Sequence, residues 1–243
     1  MAHQRVCVLL PGMLCSERLW AGQETALRSL AEIVHLRPSA PDIDAMADQV
    51  LSLPYRRFAL AGLSLGGIVA MAVARKAPER IERLALLSTN ARAPRPGQHD
   101  AWRAMADRVR AGEFHRITPD GLLPSLVHPR RRAGLAGTVV AMADEVGPEA
   151  FLAQLDAQHS RRDELSSLTA VRGPALVVAA EQDALCPIER HEEIAAALPY
   201  GRLEVLADCG HLSPLERPRL VSDLLTRWMA EGADPPHPRD NHL

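Results

Sequence analysis

FALAGLSLGG, residues 58–67, passes from a strand-like run through a sharp turn into a helix-like run. Its first four residues form a short apolar run, which is typical of a buried strand. The turn is Gly62-Leu63-Ser64-Leu65-Gly66, and apolar residues at helical spacing follow it. A serine at such a turn presents its hydroxyl above the sheet, and glycines flank it because larger side chains would clash. The context favours a nucleophilic Ser64 over a serine that only caps the helix.

Strand-like and helix-like runs alternate on both sides of this stretch. The predicted strands are residues 6–10, 33–36, 58–61, 84–87, 175–179 and 203–206. The predicted helices are residues 17–30, 44–53, 65–77, 189–198 and 215–229. Such alternation indicates an α/β fold with a mostly parallel sheet. We therefore expect one six-stranded sheet with helices on both faces.

The alternation is interrupted between residues 91 and 170. This segment has helical stripes at 102–109, 122–127, 135–142 and 151–155, separated by turn signals at 94–97, 118–121, 128–129 and 147–148. An insertion after the carboxyl end of a strand lies over the edge where open α/β sheets bind ligands. We expect residues 91–170 to form a helical lid over a core made of residues 1–90 and 171–230.

Composition limits the partners and the compartment. The chain has 243 residues, a net charge of -2 and 24% charged residues, so it offers no basic surface for nucleic acid. The apolar run at 6–10 is too short for a signal-peptide core or a membrane span. Four cysteines without a CxxC pair are typical of reduced thiols, which favours the cytoplasm. Polar, proline-rich residues 231–243 are predicted to be a flexible tail.

A serine nucleophile needs a base and a carboxylate that orients the base. Asp183 follows the predicted strand 175–179, and His211 follows the predicted strand 203–206. Both would lie on the edge of the sheet that carries Ser64. We predict that His211 is the general base and Asp183 the orienting acid. Asp208 is an alternative acid, but on the same loop it would have difficulty facing the far nitrogen of His211.

Four motifs in this order resemble those of the α/β-hydrolase family over nearly all of the chain except the lid and the tail. They are LPGM at 10–13 with Trp20 for the oxyanion loop, GLSLGG at 62–67 for the nucleophile elbow, AEQDALCP at 180–187 for the acid loop and DCGH at 208–211 for the histidine loop. The resemblance is to small carboxylesterases, enol-lactone hydrolases and carbon-carbon-bond hydrolases. It implies no metal and no organic cofactor.

The oxyanion loop departs from the family pattern. Pro11-Gly12 stands where the family commonly has a His-Gly pair, and the family's leading antiparallel strands have no counterpart before residue 6. A proline still allows the next N–H groups to be presented, so we assign the oxyanion hole to the amides of Met13 and Leu65. Trp20 and Leu212 are candidate substrate-pocket residues, and for Trp20 we favour packing of the oxyanion loop over lining the pocket.

Other chemically active residues are given structural roles. We expect His191 on a solvated helix face, and Cys15, Cys186 and Cys209 as small buried apolar residues. The arginine run 130–132 is predicted to be a solvated helix start, with a carboxylate-binding site as the alternative.

These observations predict a serine hydrolase that cleaves a small carboxylic ester, lactone or thioester through an acyl-enzyme. The lid is rich in aliphatic residues and the chain has only 3 Phe and 2 Tyr, which favours an aliphatic pocket for a small-molecule acyl substrate. Two alternatives stay open. One is a cofactor-free haloperoxidase or perhydrolase that uses the same triad with peroxide, and the other is a small-molecule receptor built on a hydrolase scaffold.

Overall fold

Six strands form one fully parallel sheet in the computed structural model, which describes residues 5–231. They are β1 Val6–Leu10, β2 Glu32–His35, β3 Phe58–Leu63, β4 Ile81–Leu87, β5 Ala175–Ala180 and β6 Gly201–Leu206. Their spatial order is β2-β1-β3-β4-β5-β6. The predicted α/β sheet is confirmed, with each strand within about three residues of its expected bounds. Apart from Glu231, the predicted tail lies outside the described residues.

Helices connect the strands. They are α1 Ala21–Arg28, α2 Ile43–Leu51, α3 Leu65–Lys76, α4 Pro96–Arg110, α5 Phe114–Arg116, α6 Leu123–Leu126, α7 Arg132–His159, α8 Ile188–Ala197, α9 Ser213–Glu216 and α10 Pro218–Ala230. Local chemistry sets some of these bounds: α2 begins after Asp42, whose carboxylate accepts a hydrogen bond from the Ala45 N–H. Within residues 5–231, no helix has both the length and the apolar character that crossing a bilayer requires.

The sheet separates two apolar layers, and the alternation of side chains along each strand assigns residues to them. In β1, Val8 and Leu10 belong to the layer covered by α2, α3 and α8. Cys7 and Leu9 belong to the layer covered by α1 and α10. Because both faces are covered, β1 is buried along its whole length. The carboxyl edge of the sheet is therefore the place where loops can form a site.

The segment between β4 and β5 contains α4 to α7, and we call residues 96–159 the helical insertion. It has an apolar cluster of its own, to which Trp102, Val109, Phe151 and Leu155 contribute. Leu14, from the loop after β1, is buried in the same cluster. The helical insertion therefore packs directly against the loop at the carboxyl end of β1.

Of the turns predicted inside this segment, the one at 118–121 is helical in the structure, whereas the one at 147–148 is a break between two helical stretches. Residues Ile117–Leu122 form a π-helix, and Pro119 does not interrupt it because a first-turn residue needs no N–H bond. The stripes at 135–142 and 151–155 both lie in α7. At Gly147 (φ 77°, ψ 166°) the backbone leaves helical geometry, and the helix resumes at Pro148, which is well suited to a first helical position.

Candidate active site

Ser64 lies in the turn between β3 and α3, in a backbone conformation that non-glycine residues rarely adopt. Its φ is 53° and its ψ is -113°. Such a conformation costs on the order of 1–3 kcal/mol and persists only where the surrounding structure enforces it. A Cβ on Gly62 would overlap the carbonyl of Gly66, and a Cβ on Gly66 would overlap the carbonyl of Leu10. Both glycines are therefore required by the close approach of three chain segments.

Three hydrogen bonds hold the strained residue in place. The Ser64 N–H donates to the Leu87 carbonyl over 3.0 Å. The Ser64 carbonyl accepts from the Ile68 N–H over 3.0 Å and from the Thr89 hydroxyl over 2.8 Å. The backbone of Ser64 is thus fixed from β4 and α3 while its side chain stays half-buried.

His211 and Asp183 form a buried pair at the same edge of the sheet. His211 Nδ1 lies 3.0 and 2.8 Å from the two carboxylate oxygens of Asp183. The amides of Leu185 and Cys186 donate to Asp183 Oδ1 over 2.9 and 3.0 Å. Because Nδ1–H donates to Asp183, Nε2 carries the lone pair that a general base needs.

The charge state of Asp183 follows from these contacts. Burial alone would raise the pKa of Asp183, but the charge of His211, its hydrogen bond and two backbone N–H groups outweigh burial. The pKa of Asp183 is therefore lower than usual.

The acid loop and the histidine loop are joined by Gln182. Its N–H donates to the Cys209 carbonyl over 2.9 Å, and its Oε1 accepts from the Cys209 N–H over 2.9 Å. Asp208, the alternative acid, is exposed and pairs with Arg130 and Arg217 at 3.7 and 3.4 Å. The structure thus brings Asp183, rather than Asp208, to the imidazole.

Ser64 follows β3 and His211 follows β6, and β4 and β5 lie between these two strands in the sheet. Within residues 5–231, no hydrogen bond joins Ser64 Oγ to His211 Nε2. Such bonds are often long or poorly aligned in unliganded enzymes and tighten when substrate binds.

The two amides assigned to the oxyanion hole belong to the loop after β1 and to the residue that follows Ser64. A Cβ placed on Gly12 would lie 3.4 Å from the Ser64 Cβ, so the loop after β1 runs beside the serine. Leu65 is the first residue of α3, where an N–H has no partner inside the helix. Across the described chain, the Met13 N–H takes part in no hydrogen bond.

The two candidate substrate-pocket residues, Trp20 and Leu212, are buried in the apolar layer of α1 and α10. Trp20 lies on the inner side of the short helix Glu17–Trp20, and this position directs it into the core. Two clefts at this edge of the sheet share Pro11 in their linings, and neither lining includes Trp20, Leu212 or Ser64. In this conformation the two residues pack the core instead of lining an open pocket.

Asp183, Cys186 and His211 also form a group whose possible metal-ligand atoms all lie within 4.8 Å of one another. Two of the three already bond to each other. Burial, followed by the charge of Asp183, raises the pKa of the Cys186 thiol, which disfavours the thiolate that a metal would require. We interpret the group as a hydrogen-bonded acid and histidine with a neutral thiol beside them.

His191 is buried, and the prediction of a solvated position is wrong. Its Nε2 accepts from the Thr89 N–H over 3.0 Å, so its Nδ1 carries the proton and donates to the Pro187 carbonyl over 3.1 Å. Burial lowers the pKa of His191, so its imidazole is uncharged at neutral pH. The imidazole thus links the loop after Asp183 to Thr89, whose hydroxyl bonds to the Ser64 carbonyl.

Contacts between the helical insertion and the histidine loop were also missed. The buried carboxylate of Glu216 accepts from the Gly210 N–H over 3.1 Å and from the His128 N–H over 2.9 Å. The Leu212 N–H donates to the Leu126 carbonyl over 3.2 Å. His211 is therefore held between two links to the insertion.

The arginine run 130–132 makes mainly structural contacts. Arg131 donates to the Asp208 carbonyl over 2.6 Å, and Arg132 donates to the carbonyls of Val127 and Pro124 over 3.1 and 2.7 Å. These bonds occupy two of the three guanidinium groups, so the contacts favour a structural role over a carboxylate-binding site.

Comparison with known proteins relates this architecture to characterised enzymes. A methyl ester esterase for pimeloyl-[acyl-carrier protein] from Aromatoleum aromaticum is 29% identical over 208 residues, which cover 76% of this chain and 80% of that protein. The structure of a thermophilic esterase from Thermogutta terrifontis, with malate bound, matches 93% of this chain and 89% of its own with a TM-score of 0.84 and 27% identity. The structure of the enol-lactonase from Burkholderia xenovorans LB400 matches 95% of this chain and 93% of its own with a TM-score of 0.83. At 22% identity, this is a likeness of fold.

A family model extends the comparison to almost the whole chain. The model, described as the alpha/beta hydrolase family, matches residues 2–224. This span includes every strand of the sheet, the elbow at Ser64 and the loops that carry Asp183 and His211. The chain therefore belongs to the alpha/beta hydrolase family and is a hydrolase.

Proposed function

We propose that this hydrolase cleaves a small carboxylic ester, lactone or thioester through an acyl-enzyme formed on Ser64. The observation that carries the proposal is the buried pair of His211 and Asp183, at the same edge of the sheet as a serine held in a strained turn. A nucleophile, a base and a group that orients the base are the parts that acyl transfer requires.

The reaction follows from the assigned roles. His211 Nε2 accepts the Ser64 proton while Oγ attacks the substrate carbonyl carbon, and the charge on the carbonyl oxygen is stabilised by the N–H groups of Met13 and Leu65. Collapse of this intermediate breaks the bond to the alcohol or thiol, which takes the proton from His211. Water, activated by the same histidine, then releases the carboxylic acid.

The thiols near the site do not compete for the nucleophile's role. Burial raises the pKa of Cys15 and of Cys209 to about 12. Thiols with such pKa values stay protonated at neutral pH and are poor nucleophiles. All four cysteines are unpaired, which agrees with a cytoplasmic location for the enzyme.

The relatives support the ester class of substrate. The similar proteins from Aromatoleum aromaticum and Thermogutta terrifontis are both esterases. We assign the helical insertion the role of a lid, within the proposed lid boundaries of residues 91–170, because it packs against the loop that carries Met13. A lid at this place would set the size of the acyl group.

Hydrolysis of p-nitrophenyl acetate, butyrate and octanoate by the wild type and by Ser64→Ala tests the proposal. We expect multiple turnover by the wild type, a preference for one acyl length and loss of turnover in the variant. Activity that the substitution leaves unchanged would remove Ser64 from the mechanism. Turnover that depends on added peroxide would instead indicate a perhydrolase.

A further inference from the structure

The loop that carries Met13 makes a tight turn at the carboxyl end of β1. The Cys15 N–H donates to the Gly12 carbonyl over 3.1 Å, which makes Met13 and Leu14 the central residues of the turn. Leu14 has a φ of 58°, in the left-handed region that leucine rarely adopts. The direction of the Met13 N–H depends on this strained turn, so whatever holds Leu14 also sets that direction.

Leu14 is held by the helical insertion through two separate contacts. Its side chain is buried in the insertion's own apolar cluster, beside Phe151 and Leu155. Its N–H donates over 3.0 Å to Oε1 of Gln154, a residue of α7 that is 140 positions away in sequence and only 2% exposed. A buried N–H left without an acceptor is costly, so this bond favours the left-handed turn over other conformations.

Gln154 also lies beside the second proposed donor. It lines a narrow cleft together with Gly12, Leu65 and Gly66. Leu65 is fixed as the first residue of α3, whereas Met13 belongs to a loop. Met13 is therefore the proposed donor whose position needs support from outside its own loop, and Gln154 bonds to the neighbouring residue, Leu14.

We propose that Gln154 is a positioning residue for the oxyanion hole, so that the hole is complete only while the helical insertion packs on the loop after β1. The inference rests on the proposed acyl-transfer function. It implies that displacement of the insertion would release the Leu14 N–H, let the turn relax and misdirect the Met13 N–H. Packing of the insertion and substrate hydrolysis are thereby coupled, and the hydrogen bond from the Leu14 N–H to Gln154 is the polar part of that coupling.

Three variants test this role. Gln154→Met keeps the length and volume of the side chain but removes the acceptor, and Gln154→Glu keeps an acceptor oxygen. Gln158→Met is the matched control, because Gln158 is a buried glutamine one turn later in α7 whose Oε1 bonds to Arg161. With p-nitrophenyl butyrate we expect Gln154→Met to lower kcat about 10- to 100-fold with KM changed less than about twofold, since a small misplacement of an oxyanion donor affects the transition state most.

The controls separate positioning from stability. Gln154→Glu should recover most of the lost kcat, and Gln158→Met should keep kcat within about twofold of the wild type. Hydrogen exchange of the peptide spanning residues 11–16 gives a readout without activity, and exchange should be faster in Gln154→Met than in Gln158→Met. An unchanged kcat in Gln154→Met, or equal exchange in both methionine variants, would overturn the inference.

Failure of the proposed function has a different result. If the wild type hydrolyses no ester, or if Ser64→Ala is as active as the wild type, acyl transfer on Ser64 is wrong whatever Gln154 does. Faster exchange in Gln154→Met would then still show that Gln154 holds the loop, and the kinetic role assigned to it would be excluded.

Discussion

At the scale of single residues, the hydrogen bonds of Asp183 and His211 determine which nitrogen of the imidazole can act as a base. Asn at position 183 would keep the size of the side chain but could donate to Nδ1, which favours the wrong tautomer. We expect Asp183→Asn to lower kcat for ester hydrolysis by up to about 10⁴-fold. Steady-state kinetics at neutral pH would measure this loss.

Asp208→Asn is the matched control for this substitution. Asp208 is exposed and lies on the histidine loop, where its contacts are with arginines. We expect its replacement to leave kcat nearly unchanged. The opposite pattern, an active Asp183→Asn and an inactive Asp208→Asn, would reassign the acid.

Sequence reasoning was effective for residues whose chemistry is local. The glycines around Ser64 and the position of Asp183 after a strand both follow from short motifs. Residues that bond to distant partners give no such signal in a short motif. His191 bonds to Thr89, which is 102 positions away, and Glu216 bonds to His128, which is 88 positions away. His191 was misplaced because the neighbouring glutamates suggested a solvated face, whereas only the fold shows that its ring points inward.

At the scale of elements, Glu216 joins the helical insertion to the loop that carries His211. Replacing it with glutamine keeps the shape but leaves either the buried Gly210 N–H or the half-buried His128 N–H without an acceptor. We expect Glu216→Gln to lower the free energy of unfolding by about 1–3 kcal/mol, which is the usual cost of such a loss. Urea denaturation followed by circular dichroism measures the change.

Glu192→Gln provides the comparison, because Glu192 is exposed on α8. Its free energy of unfolding should stay within about 0.5 kcal/mol of the wild type. Equal stability of the two variants would show that Glu216 does not join the elements in the way described.

The elements themselves were largely predictable, and their junctions were not. All six strands and the helices α1, α2, α3, α8 and α10 follow from hydrophobic periodicity and turn residues. The separation of the stripes at 135–142 and 151–155 was also predictable, because Gly147-Pro148 is a turn signal and Gly147 adopts the non-helical conformation that divides α7. The packing of Leu14 into the insertion could not be deduced from either segment alone.

At the scale of the whole molecule, the buried His191 makes stability depend on pH. Burial is the main cause of its lowered pKa, the charge of His211 acts in the same direction, and the Pro187 carbonyl and Asp183 oppose it. Above the ordinary histidine value of 6.5 the folded and unfolded states are both neutral at this residue. As pH falls below that value the unfolded state binds a proton that the folded state does not, so stability decreases until the pH reaches the folded pKa.

We expect the free energy of unfolding of the wild type to decrease between pH 7 and pH 5, and His191→Gln to reduce the slope. One such proton contributes up to about 1.4 kcal/mol per pH unit. His159 also has a lowered pKa and contributes to the slope, and the His191→Gln variant retains that contribution. The exposed His115 is the control, and an equal slope in His115→Gln and His191→Gln would contradict the assignment.

The central claim, that Ser64 is the nucleophile activated by His211, is tested most directly by labelling with a fluorophosphonate, which reacts with activated serines. Intact-mass and peptide mass spectrometry should find one adduct on Ser64 in the wild type, none in Ser64→Ala and much slower labelling in His211→Ala. An adduct on another residue, or a folded wild type that forms no adduct, would contradict the account.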